Sequence, residues 1–169
     1  MKNNQTNEVI SNEILDLSKK IGKRLIALGK TMSAAESCTG GMISAAMTAI
    51  AGCSEYYLGS VTSYAISVKE NVLGVPAETI ENYGVVSSET VAAMAEGVRR
   101  ITGSDYSIAT TGIAGPGGAS EGKPVGLVWI GFASEMGTKT FKFISDGDRK
   151  TNISNFTAKA LDIFCNMIC

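Results

Sequence analysis

Short apolar runs and amphipathic helical stretches alternate along almost all of this 169-residue chain, and that alternation points to an α/β fold. Ile10, Ile14, Leu17, Ile21, Leu25 and Leu28 recur every third or fourth residue, and Gly29 follows as a C-cap, which predicts a first helix. Thr31–Glu36 reads as a short strand and Met42–Ile50 as the helix after it. Tyr56–Tyr64, rich in aromatic and β-branched residues without clean alternation, reads as a buried strand. Two short helices are expected at Ile66–Leu73 and Ala77–Tyr83. Ser87 and Ser88 are N-cap candidates for a helix whose inner face holds Val91, Met94, Ala95, Val98 and Ile101. Tyr106–Thr111 is a strand that runs into a glycine-rich loop, Gly112–Gly122. Val125–Ala133 and Thr138–Ile144 have the signature of an antiparallel hairpin, and a last helix from about Lys150 carries Ile153, Phe156, Ala160, Phe164 and Met167 on one stripe. The expected architecture is a three-layer α/β/α sandwich around a mostly parallel mixed sheet that ends in the hairpin. One domain spans 1–169, with the polar residues 1–7 as a flexible tail.

Charge narrows the function. Fifteen Lys and Arg stand against sixteen Asp and Glu, which offers no basic surface for a nucleic acid. No apolar run is long enough to span a bilayer and the first residues lack a signal core, so no membrane partner and a cytoplasmic location are expected. Cys38, Cys53, Cys165 and Cys169 lack metal-site spacing and read as free thiols. The chain contains no histidine, which removes the commonest general base and every Ser-His-Asp or Cys-His arrangement; no metal and no cofactor are expected.

The chemistry concentrates in Ala-Glu-Ser-Cys-Thr-Gly-Gly, residues 35–41, where a strand hands over to a helix. Unpaired N–H groups at such a junction favour an anion or a developing oxyanion. Open α/β sheets bind ligands outside the carboxyl ends of their strands. Three loops leave such ends: Glu36–Gly41, with Ser37, Thr39, Gly40 and Gly41; Ser63–Lys69, with Tyr64 and Lys69; and Thr110–Gly118, with Thr110, Thr111, Gly112 and Gly115. Arg149 precedes the last helix and is a fourth, forked anion contact. Each residue also has a structural reading. Ser37 can be a helix cap, Lys69 a solvated charge, Cys38 a buried filler, Tyr64 a packed ring, and Glu36 a partner of the helix dipole rather than a catalytic group.

Four motifs in this order and spacing resemble the C-terminal domain of the CinA family: residues 35–41, Gly-Ile-Ala-Gly-Pro-Gly-Gly at 112–118, Lys-Pro-Val-Gly at 123–126 and Gly-Asp-Arg at 147–149. The resemblance covers nearly all of the chain after Thr31 and not the larger N-terminal domain of full-length members. Stand-alone members are nicotinamide mononucleotide deamidases, so the resemblance implies metal-free hydrolysis of the nicotinamide amide to nicotinate mononucleotide and ammonia. It also implies a serine–lysine pair, falling on Ser37 and Lys69 with Tyr64 beside them, and a homo-oligomer, for which Tyr56, Tyr57 and Leu58 are either interface or core. The resulting expectation is that Lys69, kept neutral by burial and by Tyr64, deprotonates Ser37, while N–H groups near Thr39–Gly41 hold the oxyanion. The substrate phosphate is expected on the glycine loop, on Thr110 and Thr111, or on Arg149, or else on the first motif. The alternatives are a Cys38 amidase and a non-catalytic nucleotide-binding module.

Overall fold

A computed structural model describes residues 10–169; the tail expected at 1–7 lies outside those residues. The elements follow the order α1 (Asn12–Leu28), β1 (Met32–Glu36), α2 (Met42–Thr48), β2 (Tyr57–Thr62), α3 (Ile66–Asn71), α4 (Ala77–Tyr83), α5 (Ser88–Thr102), β3 (Tyr106–Gly112), β4 (Leu127–Ser134), β5 (Gly137–Ile144) and α6 (Arg149–Met167). A single 3₁₀ turn at Cys53–Glu55 was not anticipated.

The strand order is β2-β1-β3-β4-β5. β1 pairs in parallel with β2 and β3, and β4 runs antiparallel to both β3 and β5. The mixed sheet with its closing hairpin is thus as expected. The two faces of β1 and β3 separate two cores. Met32, Ala34 and Ile108 join Ile14, Ile21 and Leu25 of α1 and Phe156, Ala160 and Phe164 of α6. Ala35 and Ala109 face Val91, Met94, Ala95 and Val98 of α5. This is the period-2 alternation of a sheet covered on both sides.

Two expectations need correction. Tyr57–Thr62 is an edge strand, mostly half-buried or exposed, because β1 pairs with it on one side only. Its aromatic content arises from Tyr56 and Tyr57, which turn into the core and leave Leu58 alone at the surface, so these three form no common exposed patch. Ile101 is exposed as well; the apolar stripe of α5 ends at Val98, one turn before the C-cap Gly103.

The topology places the site. β1 leads through α2 to β2 on one side, and the chain then crosses to β3 on the other. The carboxyl ends of β1 and β3, level at Glu36 and Thr110, therefore flank the point where strand order reverses, which is where ligands bind in such sheets.

Candidate active site

The turn after β1 is organised by Glu36. Its fully buried carboxylate accepts from the N–H of Gly41 (3.0 Å) and Ile43 (3.0 Å) through one oxygen and from the N–H of Ser44 (2.9 Å) through the other. The hydroxyl of Thr39 donates to it as well, at 2.7 Å. Since Thr39 spends its one proton there, the 2.9 Å contact between the Thr39 and Thr110 hydroxyls has Thr110 as donor. Glu36 therefore takes the place of a side-chain N-cap, a role Gly41 cannot fill; Gly41 instead supplies the backbone, with φ at 100° in the region glycine favours. This settles both structural readings: Glu36 caps α2, and Ser37 does not.

Ser37 is released from capping and held by its backbone. Its N–H donates to the Thr110 carbonyl, and its own carbonyl accepts from Gly40. Its Oγ lies 3.0 Å from Lys69 Nζ. Lys69 is fully buried. Its Nζ also donates to the carbonyl of Ser63, in a short hydrogen bond, and faces the carbonyl of Tyr64 at 3.5 Å. Carbonyls only accept, so they claim two N–H directions and leave the third position of the amine to Ser37: the charged form donates to its Oγ, and a neutral form would direct its lone pair there. Burial pulls the lysine below its ordinary value, with a smaller opposing push from Cys38. Among the described residues no carboxylate forms an ion pair with it; the salt bridges involve other lysines.

The chain just beyond α3, which carries Lys69, is held close against α5. Leu73, just beyond that helix, is buried, and its carbonyl rests on Gly97 of α5, where any Cβ would collide with it. Arg100 Nη2 donates to the same carbonyl at 2.9 Å. Gly97 lies inside a helix and carries no pattern visible in a single sequence, so this close approach to Leu73 is not foreseen from it.

Tyr64 is not placed as expected. Its carbonyl, not its phenol, faces Lys69, and its ring is 63 % exposed. Its hydroxyl accepts from Arg149 Nη2 at 3.0 Å, while Arg149 Nη1 donates to the Gly115 carbonyl at 2.7 Å. Tyr64, Arg149 and Gly115 thus brace one rim of a cleft of about 250 Å³ that Ser37, Cys38, Gly112, Gly117 and Gly118 also line.

Thr39, Gly40, Gly41, Thr110 and Thr111 do not line that cleft. Thr39 and Thr110 are tied into the Glu36 network, and Thr111 donates to the Val85 carbonyl at 2.9 Å. The oxyanion donors expected near Thr39–Gly41 shift for the same reason: the N–H groups of Gly40 and Gly41 are already taken. Among the described residues no acceptor pairs with the N–H of Cys38 or Thr39, nor with those of Gly115, Gly117 and Gly118 in the glycine loop. Asn152, unforeseen and fully buried, pins that loop to α6: its Nδ2 donates to the carbonyls of Ala114 (3.1 Å) and Gly147 (2.8 Å), and its Oδ1 accepts from the Gly147 N–H. Cys38 is buried, and burial pushes its thiol up to about 12, so no reactive thiolate forms there near neutral pH. Among the described residues no group of three or more His, Cys, Asp and Glu side chains is arranged to hold a metal ion. No helix among them is long and apolar enough to cross a membrane.

The CinA C-terminal domain model matches residues 14–168. The chain belongs to the CinA C-terminal-domain family. It is 48 % identical over 147 residues to a CinA-like protein of Endomicrobium trichonymphae, covering 87 % of this chain and 34 % of that protein. With a CinA-like protein of Desulfosudis oleivorans the identity is 44 % over 155 residues, covering 91 % and 38 %. The chain therefore spans about a third of the length of these curated relatives. Solved structures match almost end to end. The competence/damage-inducible protein CihA of Agrobacterium tumefaciens superposes with a TM-score of 0.90 at 34 % identity, covering 94 % of this chain and 97 % of that one. A competence damage-inducible protein of Klebsiella pneumoniae gives 0.89 at 34 % identity, covering 92 % and 96 %.

Proposed function

We propose that this CinA-family chain is an amidohydrolase that deamidates nicotinamide mononucleotide to nicotinate mononucleotide and ammonia, with Ser37 as nucleophile and Lys69 as base. One observation carries the reading: a fully buried lysine amine, without a carboxylate partner among the described residues, 3.0 Å from a serine hydroxyl that lines a cleft. A lysine meant only as a cation gains nothing from burial, whereas a base needs the lowered affinity for protons that burial confers.

Neutral Lys69 takes the Ser37 proton as Oγ attacks the carboxamide carbon, and the carbonyl π bond moves onto oxygen. The oxyanion is held by the N–H of Cys38, the residue after the nucleophile, which lines the cleft and has no acceptor among the described residues. Collapse breaks the C–N bond. Lys69 returns its proton to the leaving nitrogen, and ammonia departs. Water, deprotonated by Lys69, then attacks the ester and frees nicotinate mononucleotide with Ser37 restored. The substrate phosphate reaches Arg149 and the unpaired amides of Gly115, Gly117 and Gly118, which orient the amide over Ser37. The loop and the arginine are preferred over Thr110 and Thr111 because those hydroxyls are spent inside the fold.

Ammonia release from nicotinamide mononucleotide by the purified chain, without added metal, tests the reading. Turnover that vanishes in Ser37→Ala supports it. Binding of the mononucleotide without ammonia release would make the chain a nucleotide-binding module, and turnover abolished by Cys38→Ala rather than Ser37→Ala would make it a thiol amidase.

A further inference from the structure

Beside the cleft over Ser37 lies a second, larger recess of about 850 Å³, and Ala114 and Arg149 line both. The two chambers differ in chemistry. The inner one is walled largely by glycine backbone, Ser37 and Cys38. The outer one is walled by Met42, Pro116, Val125 and Ile153. The cations Arg149 and Lys150 stand on its wall with one carboxylate, Asp148. That carboxylate is turned away to the Thr151 N–H, from which it accepts at 2.8 Å. A glycine-walled chamber at the serine and an apolar chamber thus adjoin at Ala114 and Arg149, with Lys150 on the apolar one.

In the proposed pose a mononucleotide ends at its phosphate beside Arg149, which would leave the apolar chamber without an occupant. Small-molecule sites range over about 300–1,000 Å³, so the cleft of about 250 Å³ is undersized by itself, whereas the recess beside it, of about 850 Å³, has room for a further nucleotide half. We propose that the two adjoining chambers together also accept a pyrophosphate-linked dinucleotide that carries nicotinamide at one end, with its second phosphate between Arg149 and Lys150 and its distal base against Met42, Val125 and Ile153. Arg149 and Lys150 match the two charges of a pyrophosphate, and a flat aromatic base suits a wall of methionine, proline and branched aliphatic side chains. This inference rests on the proposed amidase site and extends its substrate class. At the serine the chemistry is unchanged: the same carboxamide loses ammonia, giving the corresponding nicotinate dinucleotide.

Calorimetric titration of the Ser37→Ala protein, which binds without turnover, separates the two chambers. Nicotinamide adenine dinucleotide is expected to bind at least as tightly as nicotinamide mononucleotide. Met42→Glu in that background places a carboxylate in the apolar chamber at the first position of α2, where the helix dipole tolerates it. It should weaken the dinucleotide by about tenfold and leave the mononucleotide within about twofold. Lys150→Glu, on an exposed side chain, should produce the same selective loss should Met42→Glu fail to fold. A mononucleotide that binds while the dinucleotide does not, or variants that weaken both ligands equally or neither, would overturn the dinucleotide site and leave the amidase reading intact. Failure of the mononucleotide itself to bind would strike the amidase reading instead; a dinucleotide that then still bound, and lost affinity in Met42→Glu, would sustain the outer chamber on its own.

Discussion

The turn after β1 and the glycine loop after β3 leave neighbouring parallel strands at the same end of the sheet, and both are rich in glycine and unpaired-looking amides. In the folded protein they are opposites. The first is sealed from Gly40 onward: Glu36 collects the amides of Gly41, Ile43 and Ser44 and the hydroxyl of Thr39, and the Ser37 carbonyl takes the Gly40 amide. Only the amides of Cys38 and Thr39 stay without an acceptor there among the described residues. The second is open: its glycine amides have no acceptor among the described residues, and Asn152 and Arg149 hold only its carbonyls. The difference teaches that a glycine-rich strand end is not in itself an anion cradle. Whether its amides remain available depends on what else the fold aims at them.

The sharpest test of the sealed turn as a platform for chemistry is Ser37→Ala. It should lower kcat by on the order of 10³-fold or more, as removal of a catalytic nucleophile does. Because Glu36 and not Ser37 caps α2, thermal stability should barely change; near-normal kcat at unchanged melting temperature would remove the serine from the mechanism.

Lys69→Arg and Lys69→Ala should be comparably inactive, since arginine keeps the charge but cannot give up its proton at working pH. In the native protein kcat should rise with pH along a limb that lies below the ordinary lysine range. The same shift has a stability consequence. With the folded value lowered from 10.5, the unfolded chain binds more protons between the two values, so stability should increase with pH across that window and be least on its acid side. Denaturant melts over the pH series would detect the trend, and a flat or falling profile would contradict a buried, neutralisable amine.

Glu36→Ala strikes the seal itself. It strands several buried donors and should cost about 3 kcal/mol or more in denaturant unfolding. A mild loss would mean that water replaces the carboxylate and that the turn is less closed than the hydrogen bonds indicate.

On the open side, Arg149→Lys removes the fork and should raise KM for the mononucleotide about tenfold, with a smaller change in kcat. Equal losses in both would place Arg149 in the chemical step. The smallest effect belongs to Cys38→Ala, which should keep activity within a few-fold and cost about 1 kcal/mol for the missing sulfur in a packed position. An inactive Cys38→Ala that remains folded would reopen the thiol route.

Much of the fold was legible because it is periodic. The apolar stripes of α1, α5 and α6, the Gly29 cap and the hairpin of β4 with β5 are all local patterns. The edge position of β2 was not legible, since aromatic content reports how residues pack and not how many neighbours a strand has. For the site, the three loops could be read from strand ends, and Ser37 and Lys69 from the family resemblance. The turned-away hydroxyls of Thr39, Thr110 and Thr111 could not, because each is consumed by a partner distant in sequence or by a carboxylate whose rotamer is set by packing.

The sequence by itself determined the alternation of strands and helices, and hence a layered α/β fold. It also determined the exclusion of histidine chemistry, and which loops carry hydroxyl, amine and glycine. Tertiary structure alone decided that Lys69 is buried against Ser37, that Tyr64 offers its carbonyl there and its hydroxyl to Arg149, and that Glu36 closes one turn while the other stays open. The physical reason is range. Periodicity and capping act over a few residues, so a single stretch of chain records them. The state of an amine or an amide depends on burial and on acceptors brought together from across the sheet, such as the 32 residues that separate Lys69 from Ser37.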